Sequence, residues 1–300
     1  MDPSARGDAA PGQGDAPPGL GPLTAIFFAF LHLTTFVVVF FVGASLVEAV
    51  PALVINIAVA ALVAPLVALY AALARWAPAE PTRAAVNLVP VPGGTWRAVR
   101  VLVFALVLGG ALAPLASELS ARVLELVPSG PQEDVGRDPL RLLGLGGAAV
   151  VLLCACVLAP IVEEMLYRGF LQARVRLRGA RAPGGWRGGL FIAGIYALVQ
   201  TNPRDCPEAL LLALGLLLAS RWGGSTLASI VAHVTFQTLP MVLLFALDTK
   251  MPAYSMSSDD GLYLPPEVLG ACAGIAACAL YALWRLRLPD RPGQRVDVVA

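Results

Sequence analysis

The segment that decides the fold is residues 151–177, VLLCACVLAPIVEEMLYRGFLQARVRL. It begins with an apolar run and then places Glu163, Glu164 and Arg168 directly behind that run. An ionisable side chain inside hydrocarbon costs at least about 2.5–3.5 kcal/mol on insertion scales, so it needs a partner and usually has a function. We therefore predict a membrane-spanning helix that carries a functional site.

The composition of the whole chain also indicates a membrane protein. Of the 300 residues, 58% are hydrophobic and 14% are charged, and the mean hydropathy is +0.75. Soluble domains are about 25% charged, so a water-soluble globule is excluded. The net charge of +1 creates no field that would attract a nucleic acid. The five cysteines contain no CxxC pair that would indicate a redox or zinc motif.

Apolar runs of about 20 residues predict the spanning helices. Six runs are clear and two are shorter, which predicts an all-α polytopic membrane bundle of about eight helices, the fifth and sixth being short. The predicted helices are 23–47, 51–74, 101–117, 142–167, 188–201, 208–220, 225–247 and 266–285. Residues 1–22, rich in Pro, Gly, Ala and Asp, are predicted to be a disordered cytoplasmic tail. The bundle then covers 23–286, and 287–300 form a cytoplasmic C-terminal tail.

The basic residues predict the orientation, because they accumulate in cytoplasmic loops. With eight helices, 16 of the 21 basic residues fall on the face that holds both termini. Both termini are therefore expected in the cytoplasm. Arginine outnumbers lysine 20 to 1, a bias that high-GC coding produces, so the expected location is a bacterial inner membrane.

The spacing of the three charged residues divides them into a pair and a single group. Glu164 and Arg168 are i and i+4 on a helix, with the acid N-terminal to the base, which is the favourable order for an ion pair. Glu163 points about 100° away from Glu164 and lacks that partner. We expect one structural carboxylate and one free carboxylate that is suited to act as a general base toward water.

Three further polar residues lie at a similar depth in the predicted membrane. His233 and Gln237 share one helix face and can donate hydrogen bonds into one cavity, and Gln200 ends the short fifth run. At about 1.5 Å per residue, Glu163, Gln200 and His233 all lie roughly 17–20 Å from the cytoplasmic face, so we expect one layer. The short fifth and sixth runs and their polar connection at 202–205 predict a thinned bilayer or a water-filled recess.

Residues 163–168, EEMLYR, resemble the EExxxR motif of the CAAX protease and bacteriocin-processing (CPBP) family of intramembrane proteases. That family includes the type II CAAX prenyl endopeptidases. Gly169, Phe170 and the AHVTFQ segment at 232–237 extend the resemblance, which covers roughly 140–247. It implies an eight-helix bundle in which the first Glu activates water, the second Glu and the Arg hold the site, and histidines from two later helices complete it.

The resemblance assigns roles to individual residues. It implies that Glu163 activates the water and that Glu164 and Arg168 support it. His233 matches the histidine of the third motif, usually HxxxN or HxxxD, although the second position here is Gln237.

The second family motif, usually FxxxH, departs from the pattern. The nearest match is Tyr196-Ala197-Leu198-Val199-Gln200, with Gln200 in place of the histidine. Glutamine donates and accepts hydrogen bonds, but it cannot take up or release a proton as histidine does, and it is a poor metal ligand. The divalent metal, such as zinc, that the resemblance allows is therefore not expected. His32 of the first helix is the alternative source of an imidazole.

The leading hypothesis is a membrane peptidase that cuts a membrane protein or peptide, with or without a C-terminal motif. Glu163 is the predicted base, His233 and Gln237 the oxyanion donors, and Gln200 positions water or substrate. The alternatives are a non-catalytic relative that acts as a binding, scaffold or bacteriocin-immunity protein, and a transporter with a glutamate relay. For Gln200, the alternative role is capping the end of its helix. A serine protease is disfavoured, because the sequence contains no glycine-flanked serine of the GxSG type.

Overall fold

The computed structural model describes residues 19–46, 50–78, 80–126, 144–178, 184–200, 205–247 and 263–288. Nearly all of the two predicted tails, the connection at 201–204 and eight basic residues used for the orientation lie outside these ranges. Those basic residues are Arg6, Arg137, Arg141, Arg181, Arg204, Lys250, Arg291 and Arg295.

The described chain is all-α, and its only extended pairing is an isolated bridge between Leu20 and Val175. Its helices are α1 (Pro22–Ser45), α2 (Val50–Trp76), α3 (Thr82–Ala85), α4 (Thr95–Leu126), α5 (144–174), α6 (Trp186–Leu198), α7 (Cys206–Gly223), α8 (Thr226–Leu247) and α9 (Pro266–Leu286). All eight predicted runs are helical within these ranges. Among the described residues, seven helices are long and apolar enough to cross a membrane, and the 13-residue α6 is not one of them. The predicted all-α polytopic bundle is confirmed.

Three helices are clearly longer than predicted, and one helix is new. α4 extends beyond 101–117 at both ends, and α5 continues past residue 167 to 174. α7 extends beyond 208–220 at both ends and is long enough to span a membrane, so the prediction that the sixth helix is short is wrong. Hydropathy marks only the apolar part of a helix, whereas the polar turns of α4 and α5 are helical because they continue the same backbone hydrogen bonding. The four-residue α3 is too short to produce a hydropathy signal.

α5 is not a uniform α-helix. Two π-helical stretches, Leu152–Leu158 and Met165–Leu171, flank the α-helical Ala159–Glu164. Pro160 lacks an N–H, so the Cys156 carbonyl has no donor four residues later. The hydroxyl of Thr238, on α8, donates to that carbonyl at 3.4 Å. Turns of π-helix are common at functional sites, and these border the acidic pair on both sides.

The buried apolar residues form two clusters. One joins α1, α2, α5 and α6, and the other joins α4, α8 and α9. α7 contributes to both, with Ala213 in the first cluster and Leu216 in the second. The charged residues of α5 therefore lie at the boundary between two apolar halves.

Two glycines allow close backbone approaches, one within each apolar half. A Cβ on Gly109 of α4 would lie 2.0 Å from the carbonyl oxygen of Ala232 on α8. A Cβ on Gly169 of α5 would lie 2.0 Å from the carbonyl oxygen of Val86, just after α3. Small residues permit such backbone contact between packed membrane helices. α5 thus rests directly on the chain that joins α3 to α4.

Candidate active site

Glu164 is the centre of a buried polar cluster and is completely shielded from solvent. Its Oε2 lies 3.6 Å from Nε of Arg168, the i,i+4 pair predicted on α5. Its Oε1 lies 3.2 Å from Nδ1 of His233 on α8. A carboxylate only accepts, so the Nδ1–H of His233 donates. Oε1 therefore has a hydrogen-bond partner, whereas Oε2 has the ion pair with Arg168 but no hydrogen bond within the described chain.

The guanidinium of Arg168 ties three helices together. Its Nη2 donates to the carbonyl of Ala213 on α7 at 3.2 Å. Its Cζ lies 5.5 Å from the ring centroid of Tyr196 on α6, a cation–π distance. Arg168 therefore holds α5 against α6 and α7 through these two contacts, and it offsets the buried charge of Glu164 on its own helix.

Glu163 has a different environment from its neighbour. It is half-buried, and its Oε2 accepts a hydrogen bond from the Tyr196 hydroxyl at 3.0 Å. Helical spacing predicted a free carboxylate at Glu163, but this carboxylate accepts a hydrogen bond from a residue on another helix. The Tyr196 ring is edge-on to Tyr167 at 5.1 Å and to His233 at 6.3 Å, so it also closes the cluster on the α6 side.

His32 joins the same layer from α1. Its Nδ1 lies 2.8 Å from the hydroxyl of Tyr167, which is fully buried on α5. The layer around Glu163 therefore contains an imidazole from the first helix in addition to that of His233.

A cavity of about 270 Å³ lies beside Tyr196 where α6 ends and α7 begins. Its polar lining is Ser120, Tyr196, Gln200, Asp205, Glu208 and Gln237. The amide of Gln200 donates to the Tyr196 carbonyl at 3.0 Å, as expected of a helix-end cap. The cavity lies at the position where the short fifth and sixth runs predicted a recess.

The predicted site residues thus form two groups that meet at Tyr196. Glu163, Glu164, Arg168 and His233 come together in the buried cluster, while Gln200 and Gln237 line the neighbouring cavity. The two tyrosines are the residues that sequence reasoning missed. Tyr196 occupies the first position of the altered second motif, and Tyr167 lies inside the EExxxR motif. Their positions within these motifs are the signal that could have identified both residues.

Residues 145–239 match the family model described as type II CAAX prenyl endopeptidase Rce1-like. This segment is similar to that family. It covers about a third of the chain and contains Glu163, Glu164, Arg168 and His233. The resemblance to the CAAX protease family is thereby confirmed, and the seven apolar helices make the chain an integral membrane protein. No curated protein and no solved structure matches the chain.

The donors of the Rce1-like segment do not fit a divalent metal. Within the described residues, no three His, Cys, Asp or Glu side chains form a group that could hold one. Both oxygens of Glu164 are engaged by Arg168 and His233, and the second-motif position is Gln200, a poor ligand. The groups that can act at this site are therefore its own carboxylates, imidazoles and hydroxyls.

Proposed function

We propose that this chain is an intramembrane endopeptidase of the CAAX protease type that hydrolyses a peptide bond with a glutamate-activated water. The observation that carries the proposal is the difference between two neighbouring carboxylates. Glu164 is locked by Arg168 and His233. Glu163 is half-buried, and the Tyr196 hydroxyl occupies one of its lone pairs, which leaves others to orient a water.

In the proposed reaction, Glu163 takes a proton from water as the water oxygen attacks the scissile carbonyl carbon. The developing oxyanion accepts hydrogen bonds from donors around it. The proposed donors are His233, whose Nε2 has no hydrogen-bond partner among the described residues, and the side-chain amide of Gln237. The proton on Glu163 passes to the leaving amine as the C–N bond breaks.

His32 takes the place of the missing second-motif histidine in this proposal. Its 2.8 Å contact with the Tyr167 hydroxyl supports that assignment, because the Tyr167 ring packs against Tyr196, which donates to Glu163. Gln200 caps α6 beside the cavity that supplies water. The proposed substrate is a membrane-anchored peptide, and the proposed location is a bacterial inner membrane with both termini in the cytoplasm.

The test uses the full chain in proteoliposomes with fluorogenic reporter peptides that end in a CAAX sequence, with and without a farnesyl group. Wild type is expected to cleave one of them, and Glu163→Gln is expected to abolish cleavage. Glu267→Gln, at an exposed position on α9, is the matched control and should retain the wild-type rate. Cleavage by Glu163→Gln at the wild-type rate would refute the proposal.

A second candidate is a non-catalytic relative that acts as a binding, scaffold or bacteriocin-immunity protein. The observation that favours it is the amide of Gln200, which caps the Tyr196 carbonyl in the place of a second-motif histidine. Gln200→His discriminates between the two functions. A gain of cleavage from an inert parent favours the non-catalytic relative, whereas an active parent with no gain favours the enzyme.

A further inference from the structure

A second cavity, of about 220 Å³, lies at the opposite end of α7 from the Gln200 cavity. It is formed where α5 and α7 end and α6 begins, with the turn after α3 closing one side. Its lining residues are Asn87, Arg168, Gln172, Ala173, Gly184, Ser220, Arg221 and Gly224. Three helix termini meeting at one level indicate the membrane–water interface.

The aromatic surroundings support the same depth. Trp186, the first residue of α6, is 42% exposed, and the guanidinium of Arg221 lies 4.5 Å above its ring. Tryptophan is enriched at the level of the lipid head groups. The cavity therefore opens at the height where lipid phosphates lie.

Two buried side chains present unsatisfied hydrogen-bonding groups at this cavity. Arg168 is 2% exposed, and its Nη1 has no hydrogen-bond partner in the described chain. Gln172 is 8% exposed, and its Oε1 also has no hydrogen-bond partner in the described chain. Buried polar groups are normally paired, so a ligand with both an acceptor and a donor is expected between them.

The charges define that ligand further. Two arginines line the cavity, and no acidic side chain of the described residues does. Glu164 offsets the charge of Arg168, whereas Arg221 donates to the neutral carbonyl of Gly184 at 3.2 Å. One positive charge therefore remains for a ligand with one negative charge.

We propose that this cavity binds the head group of an anionic phospholipid of the phosphatidylglycerol type. Arg221 and Nη1 of Arg168 bind the phosphodiester oxygens, for which the guanidinium fork is well suited. A head-group hydroxyl donates to Oε1 of Gln172. Such a lipid would hold α5, α6 and α7 together at the interface, independently of whether the chain cleaves peptides.

The experiment measures lipid binding to the full chain in a neutral detergent by native mass spectrometry. The probes are phosphatidylglycerol, phosphatidylmethanol, phosphatidylcholine and inorganic phosphate. We expect phosphatidylglycerol to bind most tightly, and Arg221→Gln to weaken it about tenfold or more, because a charge-assisted pair is lost. Gln172→Leu should remove the preference for phosphatidylglycerol over phosphatidylmethanol, which lacks the hydroxyl.

The matched control is Arg100→Gln. Arg100 lies over Trp96 at 5.0 Å, as Arg221 lies over Trp186, but it does not line the cavity. It should leave phosphatidylglycerol affinity within about twofold of wild type, since Arg100 is exposed and its charge is screened by salt. If Arg221→Gln fails to fold, Arg221→Lys keeps the positive charge but lacks the two-pronged guanidinium. This variant should bind phosphatidylglycerol several times more weakly than wild type.

Several results would overturn the proposal. Equal losses for the Arg221 and Arg100 variants would show diffuse attraction, and equal binding of phosphatidylcholine would remove the requirement for negative charge. Binding of inorganic phosphate in place of lipid would make this a free-anion site. A raised KM for the reporter peptide in Arg221→Gln, with unchanged lipid affinity, would make it a substrate site.

Discussion

At the scale of single residues, burial separates the roles of the two adjacent glutamates. Glu164 has no contact with solvent, and its charge is offset by Arg168 and by the hydrogen bond from His233. An uncompensated charge in such a place is strongly destabilising. Glu163 is half-buried, so its charge can change during a reaction without the same penalty.

Removing the partner of Glu164 should therefore destabilise the fold. We expect Arg168→Gln to lower the free energy of unfolding by about 3–5 kcal/mol, because a buried carboxylate loses its counter-charge. Arg122→Gln is the matched control, since Arg122 pairs with Glu118 at i,i+4 but is 53% exposed, and about 1 kcal/mol or less is expected there. Reversible unfolding in mixed micelles measures both, and equal losses would contradict this account of Glu164.

His32 provides a second prediction at this scale. If its imidazole positions Tyr167 beside Glu163, His32→Ala should lower kcat of reporter cleavage about tenfold with little change in KM, and added imidazole should restore part of the rate. A purely structural role predicts a lower Tm and no response to imidazole. That pattern would remove His32 from the proposed site.

Individual contacts at the site could be predicted only where both partners lie on one helix. The pair of Glu164 with Arg168 follows from i,i+4 spacing. The contacts of Glu164 with His233 and of Glu163 with Tyr196 join helices separated along the chain, and spacing carries no information about which faces meet. Counting residues from the cytoplasmic face predicted that these side chains lie at a similar depth, but it could not predict which of them form contacts.

At the scale of elements, α5 is held in its irregular form by a neighbour. Pro160 leaves the Cys156 carbonyl without a helical donor, and Thr238 supplies one from α8. Hydropathy predicts that α5 exists but is insensitive to such irregularity, because π and α turns are equally apolar here. Pro160 was the only residue in this helix whose identity indicated the irregularity from the sequence.

This arrangement predicts an energetic coupling between Pro160 and Thr238, which are far apart in the sequence but meet at the Cys156 carbonyl. Thr238→Val should lower the free energy of unfolding by about 1 kcal/mol in the wild type, because it leaves a carbonyl unpaired. In a Pro160→Ala background the new N–H can pair with Cys156, so the same change should have almost no effect. A double-mutant cycle measures the coupling, and identical losses in both backgrounds would contradict it.

At the scale of the whole molecule, a short segment after α3 joins the two apolar halves. The Val86 carbonyl accepts the Thr226 hydroxyl at 3.2 Å, and the Val89 carbonyl accepts the Ser225 hydroxyl at 2.6 Å, both from the start of α8. The same segment lies against Gly169 of α5. It therefore fixes α5 and α8 relative to each other, and with them Glu164 and His233.

A methyl group at that contact should separate the halves. Gly169→Ala is expected to lower the free energy of unfolding by about 1–3 kcal/mol, because its Cβ would lie 2.0 Å from the Val86 carbonyl oxygen. Gly194→Ala, on α6 with open space around its Cβ, is the matched control and should stabilise by about 0.5–1 kcal/mol. Equal changes in thermal unfolding would show that the contact is unimportant.

The central claim is that Glu163 performs chemistry while Glu164 maintains structure, and parallel measurement of Glu163→Gln and Glu164→Gln tests it most directly. Reporter cleavage and Tm are recorded for both variants in the same lipid. We predict that Glu163→Gln loses cleavage by at least about a hundredfold with an unchanged Tm. Glu164→Gln should lower Tm by several degrees, because Arg168 loses its counter-charge. An active Glu163→Gln, or a Glu164→Gln variant as stable as wild type, would contradict the account.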